Sequence, residues 1–123
     1  MKTKAIRYYS TNRGLDGVPG IGPFQGTVSF REALLQGQAP DEGLYMPETI
    51  PSLPADSVPA LKGRPYAEAA LLVARAFLEA EIGDGDLRRI VEDSYNYPVP
   101  LEKVEEGLFI LRLDRGPTAS FKD

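Results

Sequence analysis

Between Pro65 and Gly83 the chain carries an uninterrupted stretch whose residues Ala67, Ala70, Leu71, Ala74, Phe77, Leu78 and Ile82 recur with the period of one helix face. Pro65 suits the start of a helix, where an amide would lack a partner in any case, and Gly83-Asp84-Gly85 stops it. A helix over 66–82 is therefore predicted. Asp84 or Asp86 can cap a second one, with Leu87, Ile90, Val91 and Ser94 on one face as far as Asn96. Two such helices joined by a short turn make a helical hairpin. Pro98 and Pro100 close it.

Upstream, Ala5 to Ser10 is short, aromatic and partly β-branched, which predicts a strand, placed at a sheet edge. From Gly14 to Gly26 glycines and prolines punctuate a loop. Gly20, Gly22 and Gly26 leave three residues in the second gap, so the spacing of a dinucleotide-binding loop is absent. Ser29-Phe30-Arg31-Glu32 is a capping box that starts a helix over Phe30 to Gln36, with Phe30, Ala33 and Leu34 on its apolar face and Gly37 as its stop. Ala39 to Gly43 reads as a turn, Leu44 to Met46 as an extended segment, and Pro51, Pro54 and Pro59 predict a non-helical linker. After Gly107 the run Leu108 to Leu113 is almost continuously apolar. That pattern predicts a strand buried on both faces, inside a parallel sheet covered by helices.

A length of 123 residues allows one core. The chain has neither cysteine nor histidine, which removes disulfides, the ligands of nearly every structural zinc site, and Cys-His or Ser-His-Asp catalysis. Its 14 basic residues are scattered and outnumbered by 18 acidic ones, which argues against a nucleic-acid or anionic-membrane surface. No apolar run approaches the roughly eighteen residues of a membrane helix, and the start has no signal-peptide core. A cytoplasmic protein with diffusible partners is expected.

The segment Asp114 to Asp123 carries the most chemistry. Thr118 is a good N-cap, which would put Lys122 in the first turn of a new helix. Four residues are too few for a stable helix, so the chain reads as cut. A lysine buried at a helix N-terminus would favour the free amine that Schiff-base formation requires. The competing reading is a solvated terminal lysine. Ala119, three residues before Lys122, excludes the serine-lysine pair of β-lactamases.

The string Gly116-Pro117-Thr118-Ala119-Ser120-Phe121-Lys122-Asp123 closely resembles the pyridoxal-phosphate lysine motif of threonine synthases. Three upstream blocks agree in order: Tyr8-Tyr9-Ser10-Thr11 with Arg13-Gly14, Val28 to Gly37, and Ala39-Pro40-Asp41 with Gly43 to Glu48. The lysine motif is shared more loosely by cysteine synthases and by serine or threonine dehydratases; the upstream blocks single out threonine synthase. Asn12 is an insertion relative to that pattern, Gln38 and Glu42 replace the usual Leu and Gly, and Asp114-Arg115 replaces a common Phe-His.

The resemblance implies an α+β or α/β fold, the small N-terminal domain of a fold-type II pyridoxal-phosphate enzyme, with short strands, a helical hairpin and a terminal buried strand. It divides the chain into an N-terminal domain over 1–100 and the start of a truncated catalytic domain over 101–123. The implied reaction turns O-phosphohomoserine and water into threonine and phosphate. Lys122 would hold the cofactor and move protons between substrate carbons. Thr118 and Ser120 would shape the turn and take part in substrate binding, and Asp123 would be structural. The cofactor's phosphate loop and ring partners would lie beyond Asp123, so this portion alone is expected to be inactive and to retain no cofactor. Its uncovered terminal strand would favour self-association. The alternative is a free-standing α+β interaction module without catalysis.

Overall fold

The computed structural model describes residues 4–15, 19–120 and 122. Tyr8–Ser10 (β1) is a central strand and not an edge: it pairs antiparallel with Thr27–Val28 (β2) on one side and Tyr45–Pro47 (β3) on the other. Tyr8 stands opposite both Val28 and Pro47, and Ser10 opposite Tyr45. Both flanking strands are short and come from loop-rich segments, so each needs the aromatic strand to pair with. Tyr8, Val28 and Ala33 form the buried centre of this layer, with Ile6, Phe24, Phe30 and Tyr45 packed around it.

The helix Phe30–Gln36 (α1) begins as expected. Ser29 Oγ accepts from Glu32 N at 3.2 Å, and Ser29 N donates to the Glu32 carboxylate at 2.7 Å. Its apolar face is narrower than predicted. Ala33 is buried but Leu34 is 66% exposed, because so short a helix meets the sheet only through Phe30 and Ala33.

The proline-rich linker contains one helical turn, Ser57–Ala60 (α2), where a non-helical path was expected. Pro59 is tolerated because it falls within the first turn, where amides have no helical acceptor. The helical hairpin forms from Tyr66–Leu78 (α3) and Asp84–Ser94 (α4). Leu71, Leu87 and Val91 are its buried centre, flanked by Ala67, Ala70, Ala74, Leu78, Ile82 and Tyr95. α3 ends at Leu78, earlier than the stripe suggests, although Ile82 N still reaches Leu78 O at 2.9 Å. The N-cap of α4 is Gly83, without a side-chain cap. Asp84 is instead taken by Arg75, whose Nε and Nη2 donate to its two oxygens at 2.6 and 2.9 Å. Ile90 and Ser94 face solvent. The two layers are joined by Glu81, whose carboxylate accepts from Phe30 N at 3.0 Å and Arg31 N at 3.3 Å at the start of α1.

The largest departure lies after Pro100. Leu108–Leu111 (β5) does not enter a buried parallel sheet; it pairs antiparallel with Leu101–Glu105 (β4), and every residue of both strands is exposed. Leu113 lies in a 3-10 turn over Leu113–Arg115. Apolarity reports what a strand can bury, not what is present to cover it, while Gly107 at φ 77° permits the tight turn that supplies a partner. The helix expected from Thr118 is absent among the described residues. Residues 116–120 form turns and bends, since four residues cannot offset the cost of helix nucleation. Phe121 and Asp123 of the motif, Gly17 of the loop and the first three residues lie outside the described residues.

Candidate functional site

A buried polar node ties the upstream blocks together. Asp41 and Ser10 are fully buried. Ser10 Oγ donates to Asp41 Oδ1 at 2.5 Å, Gly43 N donates to the same oxygen at 3.1 Å, and Phe24 N donates to Asp41 Oδ2 at 2.8 Å. Ser10 Oγ accepts from Asn12 N at 3.1 Å, and Asn12 Nδ2 donates to Asp41 O at 3.0 Å. Burial opposes ionisation of Asp41, but the hydrogen bonds from Ser10, Phe24 and Gly43 outweigh it and hold the carboxyl below the ordinary range. One carboxylate thus fixes the end of β1, the glycine-rich loop at Phe24 and the turn before β3. A Cβ on Gly43 would stand 2.0 Å from Ser10 Oγ, so the packing there admits glycine alone.

Asn12 joins this node through both of its hydrogen bonds. Glu42 holds the turn at φ 63°, a left-handed conformation. The node was not foreseen as a unit. Its residues stand in blocks separated by about 30 positions, and only the shared occurrence of Ser10, Asp41 and Gly43 in those blocks signalled it.

The lysine segment sits at the end of the β4–β5 hairpin. Arg112 N donates to Pro100 O at 3.0 Å, closing the hairpin base. Beyond the 3-10 turn, Ala119 N donates to Gly116 O at 3.0 Å and Ala119 lies at φ 53°. Lys122 is exposed, and its amide donates weakly to Ser120 Oγ at 3.4 Å. Ser120 and Lys122 are therefore brought together, Ser120 partly buried and Thr118 exposed. The helix start expected from Thr118 is not found before Lys122, because residues 116–120 make turns and bends, and of the two readings of this lysine the solvated one describes it.

Between the sheet layer and the helical hairpin lies an apolar cleft of about 460 Å³, walled by Tyr8 and Phe30 on one side and Tyr66, Phe77, Leu78 and Tyr95 on the other. Phe77, counted in the helical stripe, faces this cleft and not the α3–α4 centre. Among the described residues no three acidic side chains gather as a metal site, and no helix is long and apolar enough to cross a membrane.

The family described as Threonine synthase N terminus matches residues 7–95. The threonine synthase of Haemophilus influenzae is 38% identical over 96 residues, a match spanning 78% of this chain and 22% of that protein. That of Pseudomonas aeruginosa is 36% identical, over 96% of this chain and 24% of the relative. A crystal structure of threonine synthase from Brucella melitensis, bound to pyridoxal phosphate, aligns with a TM-score of 0.77 at 34% identity, over 96% of this chain and 24% of its own. The Escherichia coli enzyme aligns with a TM-score of 0.73 at 27% identity. The chain thus spans about a quarter of the length of these relatives.

Proposed function

Because the chain belongs to the family of threonine synthase N-terminal domains, we propose that residues 1–100 form that domain and that residues 101–123 begin a pyridoxal-phosphate-binding catalytic domain. The proposed activity is conversion of O-phosphohomoserine and water to threonine and phosphate. The observation that carries this reading is the likeness to threonine synthases in both sequence and fold across nearly the whole chain, one of those relatives having been crystallised with pyridoxal phosphate.

The residues present fit one part of the cofactor's requirements. Lys122 is an exposed lysine on the segment that also carries Thr118 and Ser120, and its backbone amide meets Ser120 Oγ. An amine of this kind is the attachment point for a pyridoxal aldehyde, and the bound ring supplies an electron sink for proton removal next to the amino group. In the proposed role Lys122 holds the cofactor and carries protons, while Thr118 and Ser120 shape the turn and meet the substrate. We assign the anion site for the cofactor phosphate to other segments, since none of the described glycine loops leads into a helix with the required spacing.

The test is simultaneous measurement of threonine and phosphate released from O-phosphohomoserine by the natural polypeptide that carries these residues. Equal amounts of both, dependent on pyridoxal phosphate, support the reading. A folded, cofactor-loaded protein that leaves O-phosphohomoserine untouched overturns it in favour of an interaction module.

The exposed hairpin favours a second property, self-association of the 123-residue chain. Leu101, Leu108, Phe109, Ile110 and Leu111 are each about half exposed or more, and among the described residues no further strand pairs with either hairpin edge. Light scattering over a concentration series is expected to show mass growth that Ile110→Lys suppresses. A strictly monomeric wild type contradicts it.

A further inference from the structure

We propose that Arg112 is a positioning residue that clasps the 3-10 turn from which the lysine-bearing segment leaves to the base of the β4–β5 hairpin. Its guanidinium makes a fork with Asp114, Nε donating to Oδ1 at 2.7 Å and Nη2 to Oδ2 at 2.6 Å. The remaining nitrogen, Nη1, donates to both oxygens of Glu102 at 3.0 and 3.2 Å. One side chain therefore joins the start of β4, the end of β5 and the 3-10 turn. Arg115 Nη2 adds a longer approach to Glu102 at 3.9 Å. The Arg112 side chain is only 27% exposed, less than either partner.

Isolated surface ion pairs contribute little, but a planar fork that satisfies two carboxylates at once fixes direction as well as distance. Arg112 holds Asp114 ionised down to about 2, so the clasp is charged throughout the neutral range. Lysine could replace it only in part, having a point charge in place of a fork. Downstream, the described hydrogen bonds of the segment that leads to Lys122 include Ala119 N to Gly116 O and Lys122 N to Ser120 Oγ. That segment leaves the hairpin from the 3-10 turn that holds Asp114, so the clasp fixes the point from which it starts. The inference rests on the cofactor role of Lys122 proposed above.

Two measurements separate the clasp from that role. In the 123-residue chain, heteronuclear NOE values of the 113–120 amides are expected to fall in Arg112→Met while those of β4 and β5 hold. In the natural polypeptide, borohydride trapping of pyridoxal phosphate on Lys122 is read from the mass of its peptide. Arg112→Met and Asp114→Asn are each expected to raise the cofactor concentration for half-labelling about fivefold, with no further rise in the double variant. Arg112→Lys is expected to recover part of the loss. Unchanged order in residues 113–120, or unchanged trapping in a wild type that labels Lys122, overturns the proposal. Loss of order in a protein whose wild type never labels Lys122 upholds the clasp and removes the cofactor role.

Discussion

Glu42 is held at φ 63°, a conformation that costs an L-residue free energy and glycine nearly none. Glu42→Gly is therefore expected to raise the melting temperature by about 2–5 °C, and Glu42→Val, whose branched side chain resists positive φ, to lower it. Next to it the space is closed. Gly43→Ala places a methyl against Ser10 Oγ and Asp41 Oδ1, and about 3 kcal/mol of stability is expected to be lost, measurable by urea unfolding. These costs were not legible in the sequence. The replacement of a common glycine at position 42 could be seen, but the buried carboxylate that makes position 43 more demanding joins segments 31 residues apart, and no local pattern reports such a pairing.

Elements with a long periodic stripe were the legible part of the fold. Ala67, Ala70, Leu71, Ala74 and Leu78 of α3, with Ile82 in the turn beyond it, pack with Leu87 and Val91 of α4 as their spacing predicts. Leu71→Ala is expected to cost about 2–5 kcal/mol, while Ile90→Ala, at a half-exposed position on the predicted face of α4, costs much less; thermal unfolding compares them. Phe77 and Leu34 were misplaced because periodicity gives an arc of the helix, whereas the neighbour decides how much of that arc is covered. The capping box of α1 succeeded for the opposite reason, being complete within four residues. β4 escaped notice because Glu102, Lys103 and Glu105 break any apolar run, and β5 was misassigned because its apolarity carries no information about strand direction. The lysine turn was legible only through the family motif.

At the scale of the whole molecule, charge sets the pH response. Hydrogen bonds hold Glu32, through Ser29, and Asp84, through Arg75, below their ordinary ranges, as they do Asp41 and Asp114. These carboxyls bind protons less readily in the folded chain than in the unfolded one. The stability they contribute is complete above about pH 5, is lost as pH falls through their folded values, and goes last for Asp114 near 2. Tyr8 is pushed up by burial and by Glu81, so its contribution holds below pH 10 and is lost above it. With no histidine in the chain, unfolding free energy is expected to be nearly flat between about pH 5 and 10 and to decline outside that range; a step near pH 6.5 in urea titrations would contradict this. The central claim is the role of Lys122 in a threonine synthase. Its most direct test is phosphate release from O-phosphohomoserine by the natural polypeptide and its Lys122→Ala variant, each folded and supplied with pyridoxal phosphate. The expected result is a rate lowered by about 10³-fold or more in Lys122→Ala, and a near-normal rate in that variant would contradict the account.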